Sequence, residues 1–272
     1  MKKVKKWILI LAGIYLLALV FLYFGQDKLT FFPHKTLDED WTKVIESIGG
    51  DYVSIRAYDR EVLEGIFLSD HSEKPRPTVL FFEGNAMRVE EFAHDFTRLR
   101  DNGINVLLMD YRGYGLSTGK PNTDDFKKDA EKIFDAMLKH PHIDNNNISV
   151  WGYSIGSGVA THLASVRPIS KVILSVPFTS TVDLAKRMFP IFPISKLLKH
   201  RLDNLALAPS LMQPALIMAG EKDMKIPSKQ AQKVADNWGG NVKFYLGPGK
   251  GHNEMLEGEV VWEKVVEFLK LE

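Results

Sequence analysis

An α/β fold, with a mostly parallel central sheet and helices on both faces, is what this sequence predicts. Three observations carry that expectation. Short apolar runs such as Thr78-Val79-Leu80-Phe81-Phe82 and Asn105-Val106-Leu107-Leu108-Met109 alternate with segments of helical spacing, the rhythm of βαβ units. One such run, Ile148-Ser149-Val150-Trp151, leads straight into Gly152-Tyr153-Ser154-Ile155-Gly156 and then into the helix-like Gly158 to Ala164. An acid, Asp223, and a histidine, His252, follow on loops after later apolar runs. The chain has 272 residues, enough for one large domain with a substantial core.

The first element is a membrane segment. Lys2, Lys3, Lys5 and Lys6 precede an apolar run from Trp7 to Phe24. As a helix this run spans roughly 27 Å, close to the hydrocarbon thickness of a bilayer. Trp7 and Tyr23 mark its ends, where aromatic rings favour the interface. The lysines should stay cytoplasmic, which makes everything after Gly25 extracytoplasmic. The rival is a cleaved signal peptide that would leave a secreted protein. It would need small residues at the cut, and Leu22-Tyr23-Phe24-Gly25-Gln26 is bulky there. A retained anchor over residues 1–25, contacting the bilayer through residues 7–24, is therefore expected, followed by one folded domain over 26–272.

The domain reads in order. Phe31-Phe32-Pro33 is an aromatic patch lying at the membrane surface or against the domain. Asp51 to Ala57 and Val62 to Ser69 read as opening strands, split by Asp59-Arg60-Glu61. Thr78 to Phe82, Asn105 to Met109 and Lys171 to Val176 read as buried strands; Ile148 to Trp151 is a short β-favouring run, Ala215 to Ala219 an apolar run and Val242 to Leu246 strand-like. Arg88 to Arg100, Asp124 to Lys139 and Val260 to Leu269 read as helices. Residues 177–210 break the rhythm with Met188-Phe189-Pro190-Ile191-Phe192-Pro193-Ile194 and then Lys196, Lys199, His200 and Arg201. Lying between two core strands, this insertion is either a helical excursion packed on the domain or an apolar, basic lid that gathers acyl chains and faces anionic headgroups.

Ser154 falls where a strand turns sharply into a helix, a nucleophile elbow, with glycines on either side to let the backbone bend. The order serine, acid, histidine is that of an α/β-type triad. In it His252 would take the serine proton, and Asp223 would hold the imidazole in one tautomer. The developing oxyanion calls for two backbone N–H donors, expected from Ile155 and from Asn85 in Glu83-Gly84-Asn85-Ala86. Asp223 could instead be a helix cap before Ile226-Pro227-Ser228; Asp183 is then the alternative acid, and Glu221 a weaker one.

Other chemistries find less support. Net charge is +1, so nothing global points to nucleic acid. The absence of cysteine excludes disulfides, a thiol nucleophile and thiolate metal sites. No His-Glu-x-x-His spacing occurs, and in Asp110-Tyr111-Arg112-Gly113-Tyr114-Gly115 a dinucleotide fingerprint fails because Thr118 holds the third glycine's place. That stretch reads as a structured loop. No metal and no cofactor are expected.

The chain resembles the single-span, membrane-anchored α/β hydrolases related to lysophospholipid lipases and protein depalmitoylases. The likeness runs from about Gln26 to the C-terminus. It rests on Gln26-Asp27-Lys28 with Phe32-Pro33, Gly84-Asn85-Ala86, Asp110 to Gly115 with Ser117, Gly152 to Gly158, Pro177-Phe178-Thr179-Ser180, Gly220 to Asp223, and Gly251-His252. The resemblance implies ester or thioester hydrolysis on lipid-like acyl substrates, with Ser154, Asp223 and His252 in the roles above. A peptidase or amidase on the same triad, and a silent hydrolase-fold binding protein, are the alternatives. One departure stands out: Glu83 occupies the place where the family usually has histidine. Turned into the pocket, its carboxylate would oppose an oxyanion. Turned away, it could bond the loop and leave the backbone donors intact.

Overall fold

The structure, a computed structural model, describes residues 2–270. The apolar N-terminal run forms one helix, α1 (Lys2–Phe24), whose mean hydropathy reaches 2.5. A bend at Gly25 leads into the short α2 (Gln26–Thr30). Phe31 then turns inward, its ring edge-on to Phe126 and His200, while Phe32 stays exposed. The aromatic patch is thus split: one ring is a domain contact, the other faces outward. A helix not anticipated from the sequence follows, α3 (Asp38–Ile48), with Trp41 and Ile48 buried and a left-handed Gly49 ending it.

The sheet begins with β1 (Asp51–Arg56), β2 (Val62–Leu68) and β3 (Arg76–Phe82). The alternation expected of βαβ units then sets in: α4 (Val89–Arg100), β4 (Asn105–Met109), α5 (Thr123–Met137), β5 (Ile143–Tyr153), α6 (Ile155–Val166), β6 (Val172–Ser175). The insertion folds as three short helices, α7 (Thr181–Met188), α8 (Ile194–Leu197) and α9 (Asn204–Leu207). It is followed by β7 (Ala215–Gly220), a second unanticipated helix α10 (Ser228–Asp236), β8 (Val242–Gly247) and α11 (Glu259–Lys270). The eight strands lie in the order β1-β2-β4-β3-β5-β6-β7-β8. β1 and β2 pair antiparallel, as do β2 and β4, and every later pairing is parallel.

Alternate side chains of the strands feed two cores, one on each face of the sheet. Leu80, Phe82 and Val150 point to the face covered by α5, α6 and α10; Val79, Phe81 and Trp151 point to the face covered by α3, α4 and α11. Trp151 is fully buried among Phe81, Phe96 and Trp262, and its indole N–H donates to Ser175 Oγ at 2.8 Å. Local signals set the helix ends. The Asn122 side chain accepts from the backbone of Asp124 and Asp125 to start α5, and Ser180 does the same for Asp183 at the start of α7. α5 stops at Met137, short of the expected Lys139, ahead of the helix-incompatible Pro141. β5 starts at Ile143 rather than Ile148, because a register shift beside Arg76 lets its polar lead-in pair with β3.

The Asp110 to Gly115 stretch is the structured loop the sequence suggested. Arg112 is buried within it and chelates Asp129 through Nε (2.7 Å) and Nη2 (2.6 Å), with Nη1 on Asp59 at 2.8 Å. Removing the cation would strand a buried carboxylate. Arg112→Met should therefore cost about 3–5 kcal/mol, seen as a lower urea midpoint, and Asp129→Leu added to it should recover much of the loss.

Candidate active site

Ser154 is the single residue between β5 and α6. Its backbone sits at φ 52°, ψ −112°, a left-handed strain that non-glycine residues rarely adopt. Two close approaches make the turn possible. A Cβ on Gly152 would lie 2.3 Å from the Gly156 carbonyl oxygen, and one on Gly156 would lie 2.1 Å from that of Phe82. The serine N–H donates to the Ser175 carbonyl at 2.9 Å, pinning the elbow to the neighbouring strand. The first N–H groups of α6, starting at Ile155, belong to the helix end that Ser154 opens, where N–H groups lack partners within the helix.

The loops after β7 and β8 supply the other two groups. His252 Nε2 lies 3.1 Å from Ser154 Oγ, and His252 Nδ1 lies 2.7 Å from Asp223 Oδ2. The second oxygen of Asp223 accepts from the backbone N–H groups of Lys225 and Ile226, each at 2.8 Å. One oxygen of Asp223 thus holds the histidine and the other the turn ahead of α10; the helix itself starts behind Pro227 with no side-chain cap, so Asp223 is not its cap. The Asp183 carboxylate is instead bonded to the Thr179 hydroxyl, and Glu221 accepts from the Gly249 N–H. A clamp missed from the sequence is Tyr153, whose hydroxyl donates to the His252 carbonyl. Burial, and after it the Asp223 carboxylate, hold that phenol above its ordinary pKa, so it stays a donor.

Asn85 reaches the site differently from the way its amide suggests. The side chain turns towards the segment just past α2: Nδ2 donates to the Thr30 carbonyl at 2.6 Å, while Oδ1 accepts from Phe32 N–H (3.2 Å) and the Tyr114 hydroxyl (2.7 Å). The Asn85 amide is thus fully engaged away from Ser154. Ser154, Ile155 and Asn85 border one cavity of about 360 Å³ whose far walls are apolar. Leu22 and Leu29, from α1 and α2, belong to those walls. They belong to two helices that meet at the Gly25 bend, so no single helical spacing marks them in the sequence. Among the described residues, no group of three or more His, Asp or Glu side chains is arranged to hold a metal ion.

Glu83 is turned away from the cavity and bonds a loop, as one of the two readings had it, but it points inward and not out to solvent. It is buried beneath the loop, its Oε1 3.4 Å from the Tyr111 N–H and its Oε2 unpartnered. Burial, and then the neighbouring Asp110, push its carboxyl well above the usual range. Burial likewise raises Asp110 to about 7. Both therefore favour the protonated form on folding, and the native state binds more protons than the unfolded chain between about pH 4 and 7. Stability should be greatest at the acidic side of that window and fall as pH rises through it, by up to a few kcal/mol. Thermal unfolding at pH 5 and pH 8 measures the slope. Asp110→Asn should flatten it.

The chain has the fold of the α/β hydrolases, with Ser154 where β5 turns into α6. Residues 73–207 match the family described as Hydrolase_4, serine aminopeptidase, S33. Protein bem46 of Schizosaccharomyces pombe is 29% identical over 269 residues, covering 93% of this chain and 89% of its own. Human protein ABHD12B is 31% identical over 197 residues, covering 63% of this chain and 54% of its own. Among solved structures, the Pyrococcus furiosus esterase Pf2001 superposes with a TM-score of 0.70 at 22% identity, over 89% of this chain and 97% of the esterase. That last likeness is one of fold.

Proposed function

We propose that this protein is a membrane-anchored serine hydrolase that cleaves carboxylic ester or thioester bonds of lipid-like acyl substrates. The observation that carries the reading is the unbroken line from Asp223 through His252 to Ser154, with contacts of 2.7 and 3.1 Å, at the base of an apolar cavity. In the reaction His252 Nε2 takes the Ser154 proton as Oγ attacks the acyl carbonyl, and Asp223 stabilises the imidazolium without itself being protonated. The N–H groups of Ile155 and Asn85 receive the oxyanion. His252 then protonates the departing alcohol or thiol, and water, deprotonated by the same imidazole, releases the acid from the acyl-enzyme.

Anchoring is the second part of the proposal. α1 presents large apolar side chains outward along its length, Leu9 and Leu17 each more than 70% exposed, and four lysines crowd its start. This supports a retained anchor over residues 1–25 with its N-terminus cytoplasmic and the 26–272 domain, lid insertion 177–210 included, on the far side of the membrane.

The family description names an aminopeptidase, and that is the second reading. An aminopeptidase needs an anion to hold the substrate's terminal ammonium. The outer cleft near Ser154 is bordered by two carboxylates, Asp95, paired with Arg98 at 2.6 Å, and Glu257; neither borders the inner cavity. The apolar walls favour an acyl chain instead. A fluorophosphonate probe followed by a panel of acyl esters, acyl thioesters and aminoacyl amides tests the choice. Wild type should label and turn over the oxygen and sulfur esters; a preference for the amides would overturn the acyl reading, and an unlabelled wild type would overturn the enzyme reading.

A further inference from the structure

Two contacts fix how the insertion lies against the anchor. At the domain end of α1, Lys199 Nζ sits 4.1 Å from the centre of the Tyr23 ring. Further towards the N-terminus, the Phe192 ring stacks on Tyr15 at 5.2 Å with 5° between planes, and the Tyr15 hydroxyl donates to the Ile191 carbonyl at 3.1 Å. Tyr15 and Tyr23 stand eight residues apart on one continuous helix, about 12 Å along its axis. The loop between α7 and α8 therefore runs down the side of α1. With Tyr23 and Phe24 at the polar boundary, its tip reaches nearly to the middle of a hydrocarbon core about 30 Å thick.

The tip has the chemistry such a depth demands. From Met188 to Ile194 it carries no charged side chain. Pro190 and Pro193 have no N–H to satisfy, and the N–H groups of Phe189, Phe192 and Ile194 donate to the carbonyls of Ala185, Phe189 and Phe192. Lipid cannot satisfy backbone polar groups, so irregular backbone at this depth needs such internal partners. Met188 and Ile191 are nonetheless 68% and 72% exposed. Lys186 and Arg187 precede the tip and Lys196, Lys199 and Arg201 follow it, on stems long enough to bring their charges to headgroup level. Behind the tip, Leu22 and Leu29 from the anchor side and Met188, Phe189, Ile194 and Leu197 from the insertion wall the cavity that ends at Ser154.

We infer that the Met188–Ile194 tip is inserted in the bilayer beside α1, and that the cavity between them is a lateral entrance. Through it the acyl chain of an ester or thioester resident in that leaflet passes to Ser154 without crossing water. The entrance rests on the hydrolase reading of Ser154; the insertion does not.

The chain contains no cysteine, so a single introduced thiol is unique. Full-length Ile191→Cys, carrying an environment-sensitive NBD label, is reconstituted in phosphatidylcholine–phosphatidylglycerol liposomes containing lipids spin-labelled midway along the acyl chain. Lys74→Cys, near the opposite end of β3 from the site, is the reference. The label at 191 should emit blue-shifted and be quenched, and that at 74 should not. In parallel, Ile191→Asp should lower turnover of a long-chain acyl ester held in liposomes roughly tenfold or more, and leave a short water-soluble ester within about twofold of wild type. An unquenched label at 191 overturns the insertion. Equal effects on the two esters overturn the entrance. If the wild type hydrolyses neither ester, the hydrolase reading falls and takes the entrance with it, while the quenching still decides insertion.

Discussion

Ser154→Ala is expected to abolish fluorophosphonate labelling and to lower ester kcat by about 10⁵–10⁶, leaving the modest residual rate that oxyanion stabilisation and binding alone provide. Deletion of the hydroxyl removes the only atom within reach of His252 Nε2 that can become the acyl oxygen. KM should move little, because the cavity walls are untouched. Ser154→Gly separates chemistry from strain. The serine backbone is held at a positive φ, which glycine adopts freely, so this variant should be equally inactive yet more stable than Ser154→Ala by about 1 kcal/mol. Equal melting temperatures for the two variants would mean that the elbow stores no strain.

The second large effect is expected at Asp223. Its Oδ1 is held by the N–H groups of Lys225 and Ile226, so in Asp223→Asn the amide oxygen must take that place. The amide nitrogen then faces His252 Nδ1 and donates to it. The imidazole is forced to carry its proton on Nε2, pointing at Ser154 Oγ, and can no longer act as a base. A fall of about 10⁴ in kcat with little change in fold stability follows. Asp183→Asn, at the alternative acid, should leave the rate within about twofold, since its carboxylate is bonded to Thr179 and not to His252. Steady-state kinetics on one short ester distinguishes the two sites, and a large loss at Asp183 instead would reverse the assignment of the acid.

The sheet and the three converging side chains were legible because each leaves a local trace. Buried parallel strands are short and uniformly apolar, and a strand that turns at once into a helix needs glycine where backbones touch, as at Gly152 and Gly156. α3 and α10 left fainter traces. Trp41, Val44, Ile45 and Ile48 do have helical spacing, but polar and charged residues fill the rest of α3, and α10 buries only Ala231 and Val234. The direction of Glu83 was not legible at all. Whether a carboxyl is driven inward depends on what the next loop offers it, here the N–H of Tyr111, and that partner is fixed only by tertiary contact. The same holds for the Asn85 amide: its residue type is informative, but the destination of its side chain is set by a segment more than fifty residues upstream.

That destination constrains where the chain can be shortened. The amide of Asn85 borrows two of its three partners from Thr30 and Phe32, which lie just past α1 and α2. A chain trimmed at Gly25 keeps both; one trimmed at Pro33, though it begins well before the first strand, leaves the amide half unpaired and the loop beside the nucleophile without its brace. The few residues that look like a tether thus brace the loop beside Ser154.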